Sequence, residues 1–371
     1  MEIKNIIPVA NTFIGEEEAK AAYDAIKSGW VSFLGPKVKE FEDAFAREVG
    51  AKHAIAVNNG TSALHTALAA IGIKEGDEVI VPSLTYVATA NAVLYQNAIP
   101  VLVESDPQTY NITAENIEKK ITKKTKAIMP VDMNGMPVDY DSIIALGEKY
   151  SIPVVADSAE SLGAMYKGRK IGSIAPIHVF SFFPNKNITT GEGGAITTND
   201  EELAKRMRII VNQGQDYRYN HIMLGYNYRM TNFQAAIGIE QLKKLPFILK
   251  EKEKIASIYN NALKNSKNIK IPSVPEYVTQ HAWYMYTISI ENIERDYVVK
   301  RLDESKIQTR LSFPPIHTQP FYKERSGYTN DSLPLSYNAW KKLINIPIWV
   351  GLGDKQNYII NKLREICENG E

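Results

Sequence analysis

The chain has 371 residues, of which 44% are hydrophobic and 23% are charged, a composition typical of a folded globular protein. Its formal net charge of +1 gives no electrostatic reason to expect nucleic acid or an anionic membrane surface as a partner. The single cysteine, Cys367, excludes an internal disulfide, and no apolar window predicts a signal peptide or a membrane span. These features predict a soluble protein of the cytoplasm.

The first half of the chain alternates short apolar runs with helical patterns. Helices are predicted over 15–28 and 37–49, and an apolar loop over 29–36 is either packed on the body or the lip of a site. Apolar runs without polar alternation are typical of a mostly parallel sheet covered by helices on both faces. The predicted strands are 54–57, 78–81, 100–103, 127–131, 153–156 and 179–183, and the helices between them are 61–71, 85–95, 113–121 and 139–150.

The second half begins with a predicted helix over 200–211 and a long polar loop over 212–229. A helix over 232–245 is expected to end at Pro246, because proline interrupts helical hydrogen bonding. The remaining pattern predicts a compact α+β unit, with helices over 247–264, 296–305 and from 354, and strands over 283–290 and 307–312. Since a single hydrophobic core rarely serves this many residues, two domains are predicted, 1–246 and 247–371.

Polar side chains cluster where the predicted strands end. In an open parallel sheet the ligand lies beyond the carboxyl ends of the strands, and segments 58–62, 83–86, 157–160 and 181–186 all fall there. The first of them joins a strand to a helix, so its free N–H groups, with Thr61 and Ser62, could hold a phosphate. Simple capping of that helix by Thr61 is the alternative.

Asp157 and Lys186 are the two ionisable groups of interest at this edge. The carboxylate of Asp157 follows a buried strand and therefore needs a partner, such as a protonated heteroaromatic nitrogen; an N-cap or metal role is the alternative. Lys186 is either a solvated lysine or an amine that burial and nearby charge keep neutral enough to form a Schiff base. With the phosphate cradle, and Tyr86 to stack on a ring, they suggest a pyridoxal phosphate site.

Four separated motifs carry a family resemblance. They are Gly60-Thr-Ser62, Asp157-Ser-Ala-Glu160, Ser181-Phe-Phe-Pro-Asn-Lys186 with Thr190-Gly-Glu-Gly-Gly194, and Gly225-Tyr-Asn-Tyr-Arg-Met-Thr231. Together they resemble the nucleotide-sugar aminotransferases of the DegT/DnrJ/EryC1/StrS family, from the Trp30 loop to Pro314-Pro-Ile-His317. The resemblance implies a fold-type I enzyme with a mostly parallel large domain and a smaller C-terminal α+β domain.

The resemblance also implies roles for individual residues. Lys186 would be the Schiff-base lysine and proton shuttle, and Asp157 would hold the pyridinium nitrogen that Tyr86 covers. The phosphate would be held by Gly60, Thr61, Ser62 and Ser181, and by Asn227 of the neighbouring subunit in a homodimer with shared sites. The implied substrates are L-glutamate and a nucleotide-linked keto sugar, with no metal and no nucleic acid.

Three further residues have two interpretations each. Glu160 either supports the cofactor or makes loop hydrogen bonds, and His317 either lines the sugar or nucleotide pocket or is a structural turn histidine. Arg229 either contacts a substrate phosphate or carboxylate, or braces its loop.

Other functions remain open on the sequence. One is a sugar dehydratase or another lyase on the same fold, although the dehydratase branch of the family has histidine where this chain has Lys186. The other is a non-catalytic protein that binds sugar nucleotides.

Overall fold

The computed structural model describes residues 5–368. The strands are β1 (His53–Val57), β2 (Glu78–Pro82), β3 (Ile99–Val103), β4 (Thr125–Ile128), β5 (Val155–Asp157), β6 (Met165–Tyr166), β7 (Arg169–Lys170), β8 (Ile177–Ser181), β9 (Gly194–Thr198), β10 (Gln215–Tyr217), β11 (Asn220–His221), β12 (Ile269–Lys270), β13 (Val278–Gln280), β14 (Tyr286–Ile290), β15 (Arg310–Leu311) and β16 (Leu343–Ile346). The helices are α1 (Glu16–Lys27), α2 (Pro36–Val49), α3 (Gly60–Ala70), α4 (Ala88–Leu94), α5 (Ala114–Glu118), α6 (Tyr140–Tyr150), α7 (Glu201–Val211), α8 (Asn232–Leu263), α9 (Arg295–Glu304), α10 (Pro320–Ser326), α11 (Pro334–Trp340) and α12 (Lys355–Glu368).

The large sheet has the order β3-β2-β4-β5-β8-β9-β1. Strands β3, β2 and β4 are parallel, and parallel bridges from Ile128 to Val154 and from Val131 to Asp157 connect β4 to β5. Strand β8 continues in the same direction, whereas β9 is antiparallel to both β8 and β1. The prediction of a mostly parallel sheet is therefore confirmed, with β9 as the strand of opposite direction.

Aromatic packing holds α2 against the central strands. Phe45 contacts Phe180 and Phe182 with ring centroids 5.1 and 5.3 Å apart, and Phe41 approaches Phe182 edge-on at 5.5 Å. All four rings are fully buried. Because edge-to-face pairs add about 0.5–1.5 kcal/mol to the burial of their area, this cluster stabilises the strand that leads to Lys186.

A second, antiparallel sheet lies in the C-terminal part of the chain, with the order β12-β14-β16-β15. Helices α9 and α12 and the end of α8 share its apolar core. The N-terminal residue Ile7 also enters this core and forms a parallel bridge with Ile307. The predicted α+β character of this part is confirmed, and the division of the chain at 246 stays a prediction.

The expected helix end at Pro246 is wrong, because α8 runs without interruption from Asn232 to Leu263. A proline inside a helix costs about 3 kcal/mol through its missing hydrogen bond and its ring clash. Here Leu245 and Ile248 are buried on either side of the proline, and α8 packs on both α1 and α2. Tertiary packing thus offsets the local penalty.

The polar segment 212–229 also differs from the expectation of a plain loop. It contains a small hairpin, β10 and β11, and single bridges attach Asn227 to Asn212 and Arg229 to Val57. The segment is therefore anchored to the edge of the large sheet at β1. In the described part of the chain, no helix has the length and hydropathy that crossing a membrane requires.

Candidate active site

A cavity of about 580 Å³ lies at the carboxyl ends of β1, β2, β5 and β8. Eight of the predicted site residues line it, namely Gly60, Thr61, Ser62, Tyr86, Asp157, Glu160, Ser181 and Lys186. The fold thus brings together residues from four separate strand ends, as expected for the edge of an open parallel sheet. The predicted residues Asn227, Arg229 and His317 are not part of this lining.

Lys186 lies on the turn after β8, and its side chain is nearly buried. Its Nζ is 3.6 Å from Oε1 of Glu160 and 4.0 Å from the centroid of the Tyr284 ring. Burial lowers the pKa of this amine, whereas Tyr284, Glu160 and Asp157 raise it by more, so the pKa lies above its usual value. The protein side chains alone therefore favour the protonated amine, because Tyr284 and the two carboxylates outweigh the effect of burial.

Asp157 ends β5 and is buried in the floor of the cavity. The Thr89 hydroxyl donates to its Oδ2 at 2.8 Å, and the Ala159 N–H donates to its Oδ1 at 3.2 Å. Burial raises the pKa of Asp157 to about 6, although both hydrogen bonds and Lys186 lower it. A buried carboxylate with neutral donors is suited to a cationic partner, and the protonated ring nitrogen of pyridoxal phosphate is one.

One carboxylate oxygen of Glu160 faces Lys186, and the other faces the loop that contains Asn134. Its Oε2 accepts a 2.7 Å hydrogen bond from the Asn134 N–H, and the side chain is buried. Asn134 has a positive φ of 59°, a conformation that asparagine tolerates better than most residues. Both interpretations of Glu160 are thus compatible with its geometry, since loop contact and proximity to Lys186 occur together.

The start of α3 forms the opposite end of the cavity. Asn59 caps this helix, because its Oδ1 accepts from the Ser62 N–H at 2.8 Å and from the Ser62 hydroxyl at 3.0 Å. The alternative that Thr61 is the cap is therefore wrong. The first turn of a helix leaves N–H groups without carbonyl partners, so those of Gly60 and Thr61 suit a phosphate.

Gly60 is required by the close approach of β8. A Cβ atom at this position would lie 2.9 Å from Cβ of Ser181, closer than real side chains come. The absence of a side chain at Gly60 thus brings the helix N-terminus and Ser181 to the same side of the cavity. The amine, the carboxylate and this anion-binding helix end together fit pyridoxal phosphate.

Tyr86 lies at the mouth of the cavity, where its ring is 5.2 Å from that of Phe313. Phe313 comes from the C-terminal part of the chain, as do Tyr284 and Arg310, which also line the cavity. Within residues 5–368 Arg310 makes no ion pair, and its guanidinium stacks on Phe313 at 5.0 Å. Sequence reasoning missed these three residues, because no local pattern places them near the strand ends.

Thr89 was also missed. It lies in the first turn of α4, and no local pattern in the sequence connects it to Asp157.

Arg229 and Asn227 contact each other outside the cavity lining. Arg229 donates from Nε to the Asn227 side chain at 2.8 Å and from an Nη to Asn212 at 3.0 Å, and it stacks on Phe33. In the single chain, Arg229 therefore braces the 212–229 segment. Asn227 is exposed, and its predicted contact with a neighbouring subunit stays a prediction.

His317 does not line this cavity, and its predicted place in a sugar or nucleotide pocket stays a prediction. Its side chain is 0% exposed, its Nδ1 lies 2.6 Å from the Ser83 hydroxyl, and its Nε2 lies 3.3 Å from the Asn330 carbonyl. His317 connects the end of β2 to the turns of the C-terminal part, as the structural interpretation expects.

Comparison with known proteins agrees with this site. The family model described as the DegT/DnrJ/EryC1/StrS aminotransferase family matches residues 12–364. GDP-perosamine synthase from Caulobacter vibrioides is 43% identical and covers 93% of this chain and 94% of its own. Spore coat polysaccharide biosynthesis protein SpsC from Bacillus subtilis is 36% identical and covers 99% and 98%. The solved PLP form of Spr1654 from Streptococcus pneumoniae is 30% identical, with a TM-score of 0.94 over 98% of this chain and 99% of that one.

Proposed function

The chain belongs to the DegT/DnrJ/EryC1/StrS aminotransferase family and is a pyridoxal phosphate-dependent sugar aminotransferase, and from this premise we propose that it aminates a nucleotide-linked keto sugar with L-glutamate as the amino donor. The observation that carries the proposal is the nearly buried amine of Lys186, which faces Glu160 in the same cavity as the buried carboxylate of Asp157. When bound, pyridoxal phosphate supplies an electron sink and carries the amino group between the two substrates.

Lys186 has two tasks in this proposal. Its amine would hold the cofactor covalently, and as a free base it would carry a proton between the two carbon atoms that lose and gain hydrogen in each half-reaction. The Glu160 carboxylate, 3.6 Å away, holds the amine near the cavity centre. The first half-reaction oxidises L-glutamate to 2-oxoglutarate, whose keto oxygen comes from water, and leaves the amino group and two electrons on the cofactor. The second uses them to replace the oxygen of the sugar ketone with the amino group and releases water.

The remaining cavity residues orient the cofactor. Asp157 keeps the ring nitrogen protonated, and Thr89 holds that carboxylate in place through its 2.8 Å hydrogen bond. The N–H groups of Gly60 and Thr61, with the hydroxyls of Ser62 and Ser181, receive the phosphate. Tyr86 covers the ring face.

The substrates carry anionic groups. The C-terminal part of the chain contributes a cation, Arg310, to the cavity that receives them. Arg310 makes no ion pair within residues 5–368, and guanidinium binds carboxylate or phosphate through paired N–H donors. We assign Arg310 to a substrate anion. The 43% identity to GDP-perosamine synthase supports GDP-4-keto-6-deoxymannose as the acceptor sugar, with GDP-perosamine as the product.

A homodimer with shared sites is part of the proposal. Large apolar side chains are exposed on the 29–36 loop and on the 212–229 segment, among them Trp30, Leu34, Tyr219 and Leu224. Exposed apolar clusters of this kind are typical of subunit interfaces. In the dimer Asn227 would reach the cofactor phosphate of the neighbouring subunit.

The similarity to SpsC supports a role in the synthesis of a surface polysaccharide, of which O-antigen is one case. The single buried cysteine is consistent with a location in the cytoplasm.

The test is a spectrum followed by turnover. Adding L-glutamate to the purified holoenzyme should convert the visible absorbance of bound pyridoxal phosphate to that of the amino form. GDP-4-keto-6-deoxymannose should then restore the first spectrum and yield GDP-perosamine. A faster reaction with a UDP- or dTDP-linked keto sugar would replace the assigned substrate, and an absorbance that glutamate leaves unchanged would favour a non-catalytic sugar-nucleotide binding protein.

A further inference from the structure

Lys252 is a buried lysine directly behind the active site. It lies on α8, and only 6% of it is exposed, whereas Lys254 on the same helix is exposed. Lysine is seldom buried unless a partner compensates for its charge. In the described part of the chain no carboxylate lies within ion-pair distance of Lys252, so its partners are neutral groups.

Two hydrogen bonds hold the ammonium of Lys252. It donates to Oδ1 of Asn187 at 2.8 Å and to the Tyr284 carbonyl at 3.4 Å. The orientation of the Asn187 amide follows from its other contacts, because its Nδ2 donates to the carbonyls of Leu162 and Ala282 at 3.2 and 2.8 Å. Its oxygen must therefore face Lys252.

Both acceptors of Lys252 border Lys186. Asn187 is the next residue in the chain, and the ring of Tyr284 lies 4.0 Å from the Lys186 amine. Lys252 thus connects the turn that carries Lys186 with the aromatic residue against which its amine lies. Asn187 and Tyr284 come from different parts of the chain, and Lys252 on α8 connects them.

The charge of Lys186 also acts on Lys252. Burial and, to a smaller degree, the charge of Lys186 lower the pKa of Lys252 to about 7. Glu253, the next residue on α8, accepts a hydrogen bond from the Trp283 indole and makes no ion pair with Lys252. Like charges disfavour each other, so the protonated Lys186 amine makes the ammonium form of Lys252 less favourable.

We propose that Lys252 is a positioning residue for Lys186: its hydrogen bonds fix Asn187 and the backbone of Tyr284 around the Lys186 amine. An apolar side chain would fill the same space without the cost of burying an unpaired charge. The inference rests on the proposed role of Lys186 as the lysine that attaches the cofactor.

The test compares Lys252→Met, Lys252→Arg and the control Lys254→Met in the holoenzyme. Displacement of Asn187 and Tyr284 from the reacting nitrogen in Lys252→Met should shift the pH midpoint of the visible absorbance by about 0.5 unit or more. It should also lower kcat of the glutamate half-reaction by about tenfold with little change in KM, because misplacement of a reacting group acts on the chemical step. Lys252→Arg should recover most of both effects, and Lys254→Met should match the wild type.

The outcomes separate the two proposals. Borohydride reduction and mass spectrometry of the peptide first establish whether Lys186 carries the cofactor; attachment elsewhere contradicts the proposed function itself. If Lys186 carries it and Lys252→Met keeps the wild-type midpoint and kcat, the role of Lys252 is refuted. Should Lys252→Met fail to fold, Lys252→Gln and Asn187→Ala take its place, and a wild-type midpoint in both refutes the role equally.

Discussion

The Lys186 amine lies 3.6 Å from a Glu160 oxygen, and the second oxygen of that carboxylate is held at 2.7 Å by the Asn134 N–H. The backbone N–H of Asn134 thus holds the Glu160 carboxylate in place independently of the amine. Because Glu160 follows Asp157 on one short turn after β5, a single loop presents both carboxylates to Lys186. The positions of Asp157 and Glu160 depend on each other, so we expect the effects of replacing these two residues to depend on each other as well.

Replacement of Lys186 by alanine should abolish turnover while the protein still folds. The side chain makes one long ion pair and a ring contact, so its loss removes chemistry and little packing. The amino-transfer rate should fall by at least about 10⁴-fold, since the nucleophile and the proton carrier are lost together. Circular dichroism checks folding, and turnover at more than a few per cent of the wild-type rate would contradict the role.

Replacement of Asp157 by asparagine should stabilise the cofactor-free protein at pH 7 and impair the holoenzyme. The pKa of Asp157 is raised to about 6 by burial, so its contribution to stability is present at pH values below the unfolded pKa and is lost as pH rises through 6. A shift of this size corresponds to about 3 kcal/mol at neutral pH.

Urea unfolding of wild type and Asp157→Asn at pH 5 and pH 7.5 measures the effect. Asp132, whose pKa burial also raises to about 6, is present in both proteins and cancels in the difference. The gain should be larger at pH 7.5, and an equal gain at both pH values would be inconsistent with the assigned titration.

Replacement of Gly60 by alanine should weaken cofactor binding. The new Cβ would lie 2.9 Å from Cβ of Ser181, so the helix end or β8 must shift. We expect the cofactor Kd to rise at least about tenfold, because displaced N–H groups bind the phosphate less well. The double variant Gly60→Ala/Ser181→Gly removes the clash, so its Kd, measured by equilibrium dialysis, should match that of Ser181→Gly alone, which also lacks the hydroxyl assigned to the phosphate. A much weaker double variant would indicate that backbone conformation, not the contact with Ser181, requires the glycine.

Replacement of Arg310 by methionine should lower kcat/KM for a substrate whose anion it binds by about 10- to 100-fold. The side chain stacks on Phe313, and methionine keeps much of that contact without the charge. Single-turnover measurements of the two half-reactions identify the substrate concerned, and Arg310→Lys should be intermediate because it keeps the charge but loses the paired donors. Unchanged values in both half-reactions would exclude a role in substrate binding.

Replacement of His317 by alanine should affect stability more than substrate binding. The ring is fully buried and bonded to Ser83, so its loss leaves a cavity and an unpaired hydroxyl, at a cost of about 2–4 kcal/mol. Urea unfolding should show this loss, while KM for both substrates should remain within about twofold. A large rise in KM without destabilisation would restore the pocket role for His317.

Local features of the sequence predicted much of this architecture. Apolar runs and helical spacings depend on residues a few positions apart, so they indicated the strands that end at Asp157 and Ser181. Where a local preference opposed the tertiary fold, the prediction failed. Pro246 is the clearest case, because packing on both sides of it carries the helix through a residue that ends helices elsewhere.

The sequence by itself predicted the group of residues at the strand ends, because strand direction alone brings Gly60, Asp157 and Lys186 to one edge. Its four motifs indicated the family and, through that resemblance, the cofactor. Only the tertiary structure decided what surrounds them. Tyr284 and Arg310 reach the cavity, and Lys252 reaches the back of Lys186, through the packing of α8 and the C-terminal sheet on the large sheet. Such contacts join residues far apart in the chain, and they depend on how whole elements pack, which no spacing of neighbouring residues encodes.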